Sequence, residues 1–218
     1  MKNNPNNKYF FNWASGTGGD FLIGMLHLLY PFPHTSNVCV NERNMWSTDN
    51  TQEDRLRMFE YDDVNQIQQS LNDINPGELF QYHQYLSDPL DIPKDILAVN
   101  LTTGDIYEES FIAHLYNIKA RTIKSVTETS IVRQSTQIPG AVNINYRILF
   151  DNPTNDIAFN ILNMFGRSDA FSPAVVDCLK AYHRHNLKCI EDQHRDERPQ
   201  PFKKQIKTFQ ELCNHLEI

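Results

Sequence analysis

From its N-terminal end the chain alternates short aromatic or aliphatic runs with longer segments in which apolar residues recur every three or four positions. Lys8 to Ala14 is an aromatic-rich run that stops at a glycine cluster, and Asp20 to Tyr30 then has helical apolar density, which predicts a strand, a turn and a helix. Pro31 and Pro33 end that helix, because proline has no amide donor and restricts the residue before it, and the polar segment up to Asn50 reads as surface loop. Between Glu53 and Leu71, apolar residues at Leu56, Met58, Phe59, Val64, Ile67 and Leu71 predict one or two helices laid over a sheet. After the Pro76-Gly77 turn, Leu79 to Leu86 alternates apolar and polar positions as a short strand, with His83 inside it and Asp88-Pro89 as its end. Asp95 to Leu101 is nearly continuous in apolar residues, as expected of a central parallel strand covered on both faces, with Thr102 to Asp105 as its exit loop.

The second half repeats the alternation. Tyr107 to Lys119 has the spacing of a crossover helix, and Ala141 to Ile148 reads as another strand, followed by a turn at Asp151-Asn152-Pro153. Asn155 to Phe165 is a helix closed by Gly166, and Ser172 and Pro173 supply the cap and first position of a longer helix running to Ile190. From Asp192 the chain is charged and proline-broken until a short helix at Lys207 to Leu216. Strands alternating with helices predict an α/β protein with three α/β/α layers and a mainly parallel sheet of four to five strands, its ligand crevice lying at the strands' carboxyl ends. The expected organisation is a polar tail over 1–7, one α/β domain over 8–190 and a charged extension over 191–218.

Composition narrows the function. A net charge of −7 disfavours a broad phosphate-tracking surface, so general nucleic-acid binding is not expected. No apolar run reaches the roughly 18–20 residues of a membrane span, and the Asn-rich start lacks the layout of a signal peptide, which points to a cytoplasmic protein without a membrane partner. Cys39, Cys178, Cys189 and Cys213 are far apart and form no CxxC pair, so neither a zinc site nor a disulfide framework is suggested.

The chemistry concentrates in Ser15-Gly16-Thr17-Gly18-Gly19-Asp20. Three glycines between a strand and a helix let backbone amides face inward, the helix N-terminus offers partial positive charge, and the Ser15 and Thr17 hydroxyls can donate; phosphate is the natural ligand. The pattern is not GxxxxGK[ST], and no lysine stands between Lys8 and the helix, which disfavours an NTPase loop. The plainer account is that Asp20 caps the helix and competes with any phosphate.

The ordered set of segments resembles the sulfotransferase family, whose phosphate-loop-like fold uses phosphoadenosine phosphosulfate as sulfuryl donor. Trp13 to Leu22 is similar to that family's Pro-Lys-Ser-Gly-Thr-Thr-Trp-Leu loop, with Ser15, Gly16 and Thr17 on matching positions and Ala14 on the lysine's. Gln81-Tyr82-His83 falls where the family has Lys-Thr-His, so the resemblance implies His83 as general base. Val99 to Asp105 resembles the segment ending Val-Arg-Asn-Pro-x-Asp, with Leu101 in place of the arginine, and Ser110 stands one position later than the serine that binds the donor's 3′-phosphate. Asn145 to Gly166 resembles the family's tyrosine strand, Asn-Pro turn and following helix. The resemblance implies a donor site built from Ser15, Gly16, Thr17, Gly18, Gly19, Asp20 and Ser110, no metal, and sulfuryl transfer to an acceptor it does not identify. The small size and Asn-rich start also resemble short sulfotransferase-like proteins of phages, implying host cytoplasm or virion as the location.

Two other readings stay open. The loss of both cationic anchors fits a noncatalytic descendant of the fold that binds a protein partner, unless Lys119, Arg121, Lys124, Arg133 or Arg184 reaches the glycine turn. A nucleotide kinase would need a lysine and magnesium ligands that the sequence lacks. The patch Tyr182-His183-Arg184-His185-Asn186, with His194 and Arg195, could hold an anion, but two histidines two residues apart on a helix face apart and do not pair on a metal.

Overall fold

The computed structural model describes residues 7–13, 17–31, 37–40, 47–49, 64–82, 90–104, 138–191 and 204–218. Its central feature is a four-stranded, all-parallel sheet in the order β4-β1-β5-β6. These strands are β1 (Lys8–Trp13), β4 (Leu79–Tyr82), β5 (Ile96–Thr102) and β6 (Val142–Asn145). The register places Asn12 opposite Tyr82 on one side and Asn100 on the other, and Asn100 in turn opposite Asn143.

Alternation along β1 and β5 sorts their side chains onto two faces. Tyr9, Phe11, Trp13, Val99 and Leu101 pack with α1 (Gly19–Leu29), α3 (Asn155–Met164), α4 (Pro173–Glu191) and α5 (Phe209–His215). Phe10, Phe80, Tyr82, Ile96 and Ala98 pack with Ile67 and Leu71 of α2 (Val64–Asn72). The sheet is therefore the middle of three α/β/α layers. Phe10 and Phe11 are both fully buried on opposite faces, and each such side chain contributes about 1.5–3 kcal/mol by leaving water.

Helix α1 is buried from Phe21 through Leu26, which is why its sequence is apolar almost all round. Its C-terminal end is held by Arg167, 4% exposed, whose Nε donates to the Tyr30 carbonyl at 3.0 Å while the guanidinium lies 5.1 Å from the Tyr30 ring centroid. Arg167 itself is set by the end of α3, where Gly166 adopts φ 68° and the Arg167 amide returns to Leu162 O at 2.7 Å. Thr154 and Thr208 cap α3 and α5, each accepting a backbone amide three residues on.

A second, three-stranded sheet joins β3 (Ser47–Asp49), β2 (Asn37–Val40) and β7 (Lys204–Ile206), antiparallel throughout. Local pattern predicted only loop between Pro33 and Asn50, since β2 depends on β7, a partner more than 150 residues away in sequence. Ile206, Leu212 and Cys213 join the core that Tyr9 and Phe11 occupy, so the C-terminal segment packs against the sheet's helical layer. The strand predicted over 141–148 stops at Asn145, whose Oδ1 accepts the Arg147 amide at 2.8 Å and turns the chain into a π-helical turn, Arg147–Asp151. The predicted crossover helix over 107–119 lies outside the described residues, as does the whole of 53–63.

Candidate functional site at the carboxyl end of β1

The chain leaves β1 toward β4 on one side and reaches β5 on the other, so the strand order reverses around β1. In open parallel sheets the crevice beside such a reversal, at the carboxyl ends, is where ligands collect. The glycine turn lies here, between Trp13 and α1.

Gly18 has φ 84° and ψ 19°, a left-handed conformation that a side chain disfavours, and its carbonyl accepts the Leu22 amide at 3.0 Å to open α1. Thr17 is fully buried before it, and Asp20 puts a carboxylate in the helix's first turn. The first turn directs its amides out of the helix and carries the positive end of the dipole, the feature an anion would use.

Three aromatic rings close over the same turn. A Cβ on Gly18 would lie 2.7 Å from Tyr182 and 2.9 Å from Phe150, and one on Gly19 would fall inside the Trp13 indole. Phe21 stacks on Tyr182 with centroids 4.5 Å apart, and Phe150 lies 4.8 Å from the same ring. Close approach of α1 to these rings thus requires glycine at both positions. A phosphate at this turn would be met by backbone amides rather than by space beside the glycine α-carbons.

Next to the aromatic layer is a titratable cluster that the sequence offered only as part of a His/Arg patch. Asn186 Nδ2 donates to the Tyr146 hydroxyl at 3.1 Å, and that hydroxyl lies 3.3 Å from His183 Nδ1. The other ring nitrogen of His183, Nε2, lies 3.5 Å from Asp151 Oδ1, so the imidazole sits between the phenol and the carboxylate. Burial pushes the His183 pKa below the ordinary 6.5, with Asp151 opposing. Arg147 completes an exposed pair with Asp151 at 3.6 Å. The signal that could have exposed this cluster is the i, i+4 pairing of Tyr182 with Asn186 and the one-turn offset of Tyr146 from Phe150, yet nothing local says which residues meet.

Of the sequence-derived site residues, the structure describes Thr17, Gly18, Gly19 and Asp20 together at the turn; Ser15, Gly16, His83 and Ser110 lie outside the described residues. Strand β4 ends at Tyr82, the residue before His83. Lys119, Arg121, Lys124 and Arg133 are likewise outside them, while Arg184 is exposed on α4 beside His183. Among the described residues no group of three or more His, Cys, Asp or Glu side chains is placed to hold a metal ion, and no helix is long and apolar enough to cross a membrane.

No protein-family model, curated protein or solved structure matches this chain.

Proposed function

We propose that this protein is a sulfotransferase-like group-transfer protein that takes phosphoadenosine phosphosulfate at the turn between β1 and α1. The observation that carries the reading is positional: a left-handed Gly18 opens α1 at the carboxyl end of the strand around which the sheet order reverses. Backbone amides of Gly19 to Phe21 would hold the donor, with Ser15, Gly16, Thr17 and Ser110 contributing as the family resemblance implies. The donor supplies an activated sulfuryl group. His83 would take the proton of the acceptor hydroxyl or amine as the new bond to sulfur forms and the bond to the phosphate oxygen breaks.

A second reading, a noncatalytic binding protein on the same fold, is favoured by the aromatic closure. Trp13, Phe150 and Tyr182 account for Gly18 and Gly19 through packing alone.

Calorimetric titration with adenosine 3′,5′-bisphosphate separates the two. The donor reading expects saturable binding, and Asp20→Asn should tighten it about two- to fivefold by removing a carboxylate that competes for the helix terminus. A His83→Ala variant should then keep binding and lose transfer. No heat from either the native protein or Asp20→Asn at millimolar ligand refutes donor binding and leaves the second reading.

A further inference from the structure

Asparagine is an unusual choice for the middle of a parallel sheet covered on both faces, where Val, Ile and Leu are the rule. Here one stands on each of three neighbouring strands in the same register: Asn12 on β1, Asn100 on β5 and Asn143 on β6. Asn12 is 3% exposed and Asn100 is fully buried. Their amides are linked in a row, Asn12 Nδ2 donating to Asn100 Oδ1 at 2.8 Å and Asn100 Nδ2 donating to Asn143 Oδ1 at 2.8 Å.

The direction of this relay is fixed from one end. The Ile138 backbone amide donates to Asn143 Oδ1 at 3.0 Å, while Asn143 Nδ2 donates to the carbonyls of Ile138 and Ala141. A backbone N–H cannot accept and a backbone carbonyl cannot donate, so Asn143 has one orientation. Asn143 then requires a donor from Asn100, and Asn100 requires a donor from Asn12. The chain of obligations ends at Asn12 Oδ1, which is buried and has no hydrogen-bond partner among the described residues. A sheet built for stability alone would not end a buried polar row on an unmet acceptor, and departures of this kind gather at functional sites.

The position of this atom gives the departure its meaning. Asn12 and Asn100 bridge β1 and β5, the two strands beside which the sheet order reverses, and Phe10, Phe80 and Tyr82 line the same face beside Asn12. We infer that Asn12 Oδ1 is a ligand-reading acceptor, held in one orientation by the relay, and that its ligand presents an uncharged N–H or O–H donor, as an amide or hydroxyl does. An anion is the wrong partner for it. The inference concerns the sheet face opposite α1 and stands whether or not the turn after β1 takes a nucleotide.

The test uses the full chain with isotopically labelled asparagine, titrated with acetamide and separately with N,N-dimethylacetamide, which keeps the carbonyl and lacks the N–H. Acetamide is small enough that shape does not limit its entry. The expected result is a saturable shift of the Asn12 side-chain carbonyl signal with acetamide and none with the dimethyl compound. An equal response to both, no response to either, or a carbonyl held by a long-lived internal water in the untreated protein overturns the inference. Because the comparison is made on the native sequence, it does not depend on whether an Asn12→Leu chain folds.

Discussion

Replacing Gly19 with alanine sets helix propensity against packing. At the first position of a helix, alanine in place of glycine is worth about 0.5–1 kcal/mol in favour of folding. The added methyl would sit inside the Trp13 indole, which is 3% exposed and walled by Phe11 at a centroid distance of 5.4 Å, so the ring has little room to yield. Overpacking of that kind costs about 1–3 kcal/mol or more, and the net expectation for Gly19→Ala is a loss of about 1–2 kcal/mol. With a urea slope of about 2 kcal/mol/M the midpoint should fall by about 0.5–1 M, followed by far-ultraviolet circular dichroism. Trp13→Leu alone should cost on the order of 2–3 kcal/mol through the volume it removes. In the double variant the methyl occupies space the indole vacated, so the two losses should fall short of their sum by at least about 1 kcal/mol. Strict additivity, or a Gly19→Ala protein as stable as the native one, would refute the packing account and return the glycine to a ligand-binding explanation.

His183 and His27 both have pKa values pushed below the ordinary 6.5, chiefly by burial, with Arg167 adding to the effect at His27. A folded-state value below the unfolded one means that their stabilising contribution is present above about pH 6.5 and is lost as pH falls through that value toward the folded pKa values. Thermal midpoints should therefore drop on acidification from about pH 7.5 to 5.5, less steeply in His183→Gln; an unchanged slope in that variant would exclude His183 as a source. Cys178 and Cys213 are buried neighbours, and burial with the adjacent Cys213 raises the Cys178 thiol far above its usual range, so iodoacetamide labelling mapped by mass spectrometry should follow global unfolding at both sites; rapid labelling in the native protein would contradict this. Arg167→Met keeps much of the side-chain volume but removes the donors to Tyr30 O and Phe165 O and the contact over Tyr30, for an expected loss of about 3 kcal/mol by denaturant titration, whereas a loss under about 1 kcal/mol would show that α1 does not need this clamp.

The sequence by itself determined the strand, turn and helix at the start, the central strand read over 95–101, the helices α3 and α4 with the Pro173 start of the latter, and hence a parallel three-layer fold. These features are local. Each is written as a run of one periodicity closed by glycine, proline or a capping hydroxyl, and backbone sterics read such signals without reference to the rest of the chain. Only the tertiary structure decided that β2, β3 and β7 form a second sheet, because three- and four-residue strands are stabilised by their partner's hydrogen bonds rather than by their own composition. It also decided the meaning of the glycines and asparagines. Gly18 and Gly19 announced a turn, but the rings that press on it come from residues 150 and 182, far along the chain, and from Trp13 folding back across the turn. Asn12, Asn100 and Asn143 look like three unrelated polar interruptions of apolar strands until the register aligns them, and the direction of their hydrogen bonds is then set by a single backbone amide at Ile138. Hydrogen-bond partners and close packing are properties of pairs, so the positions they link become legible only when the fold brings both members together.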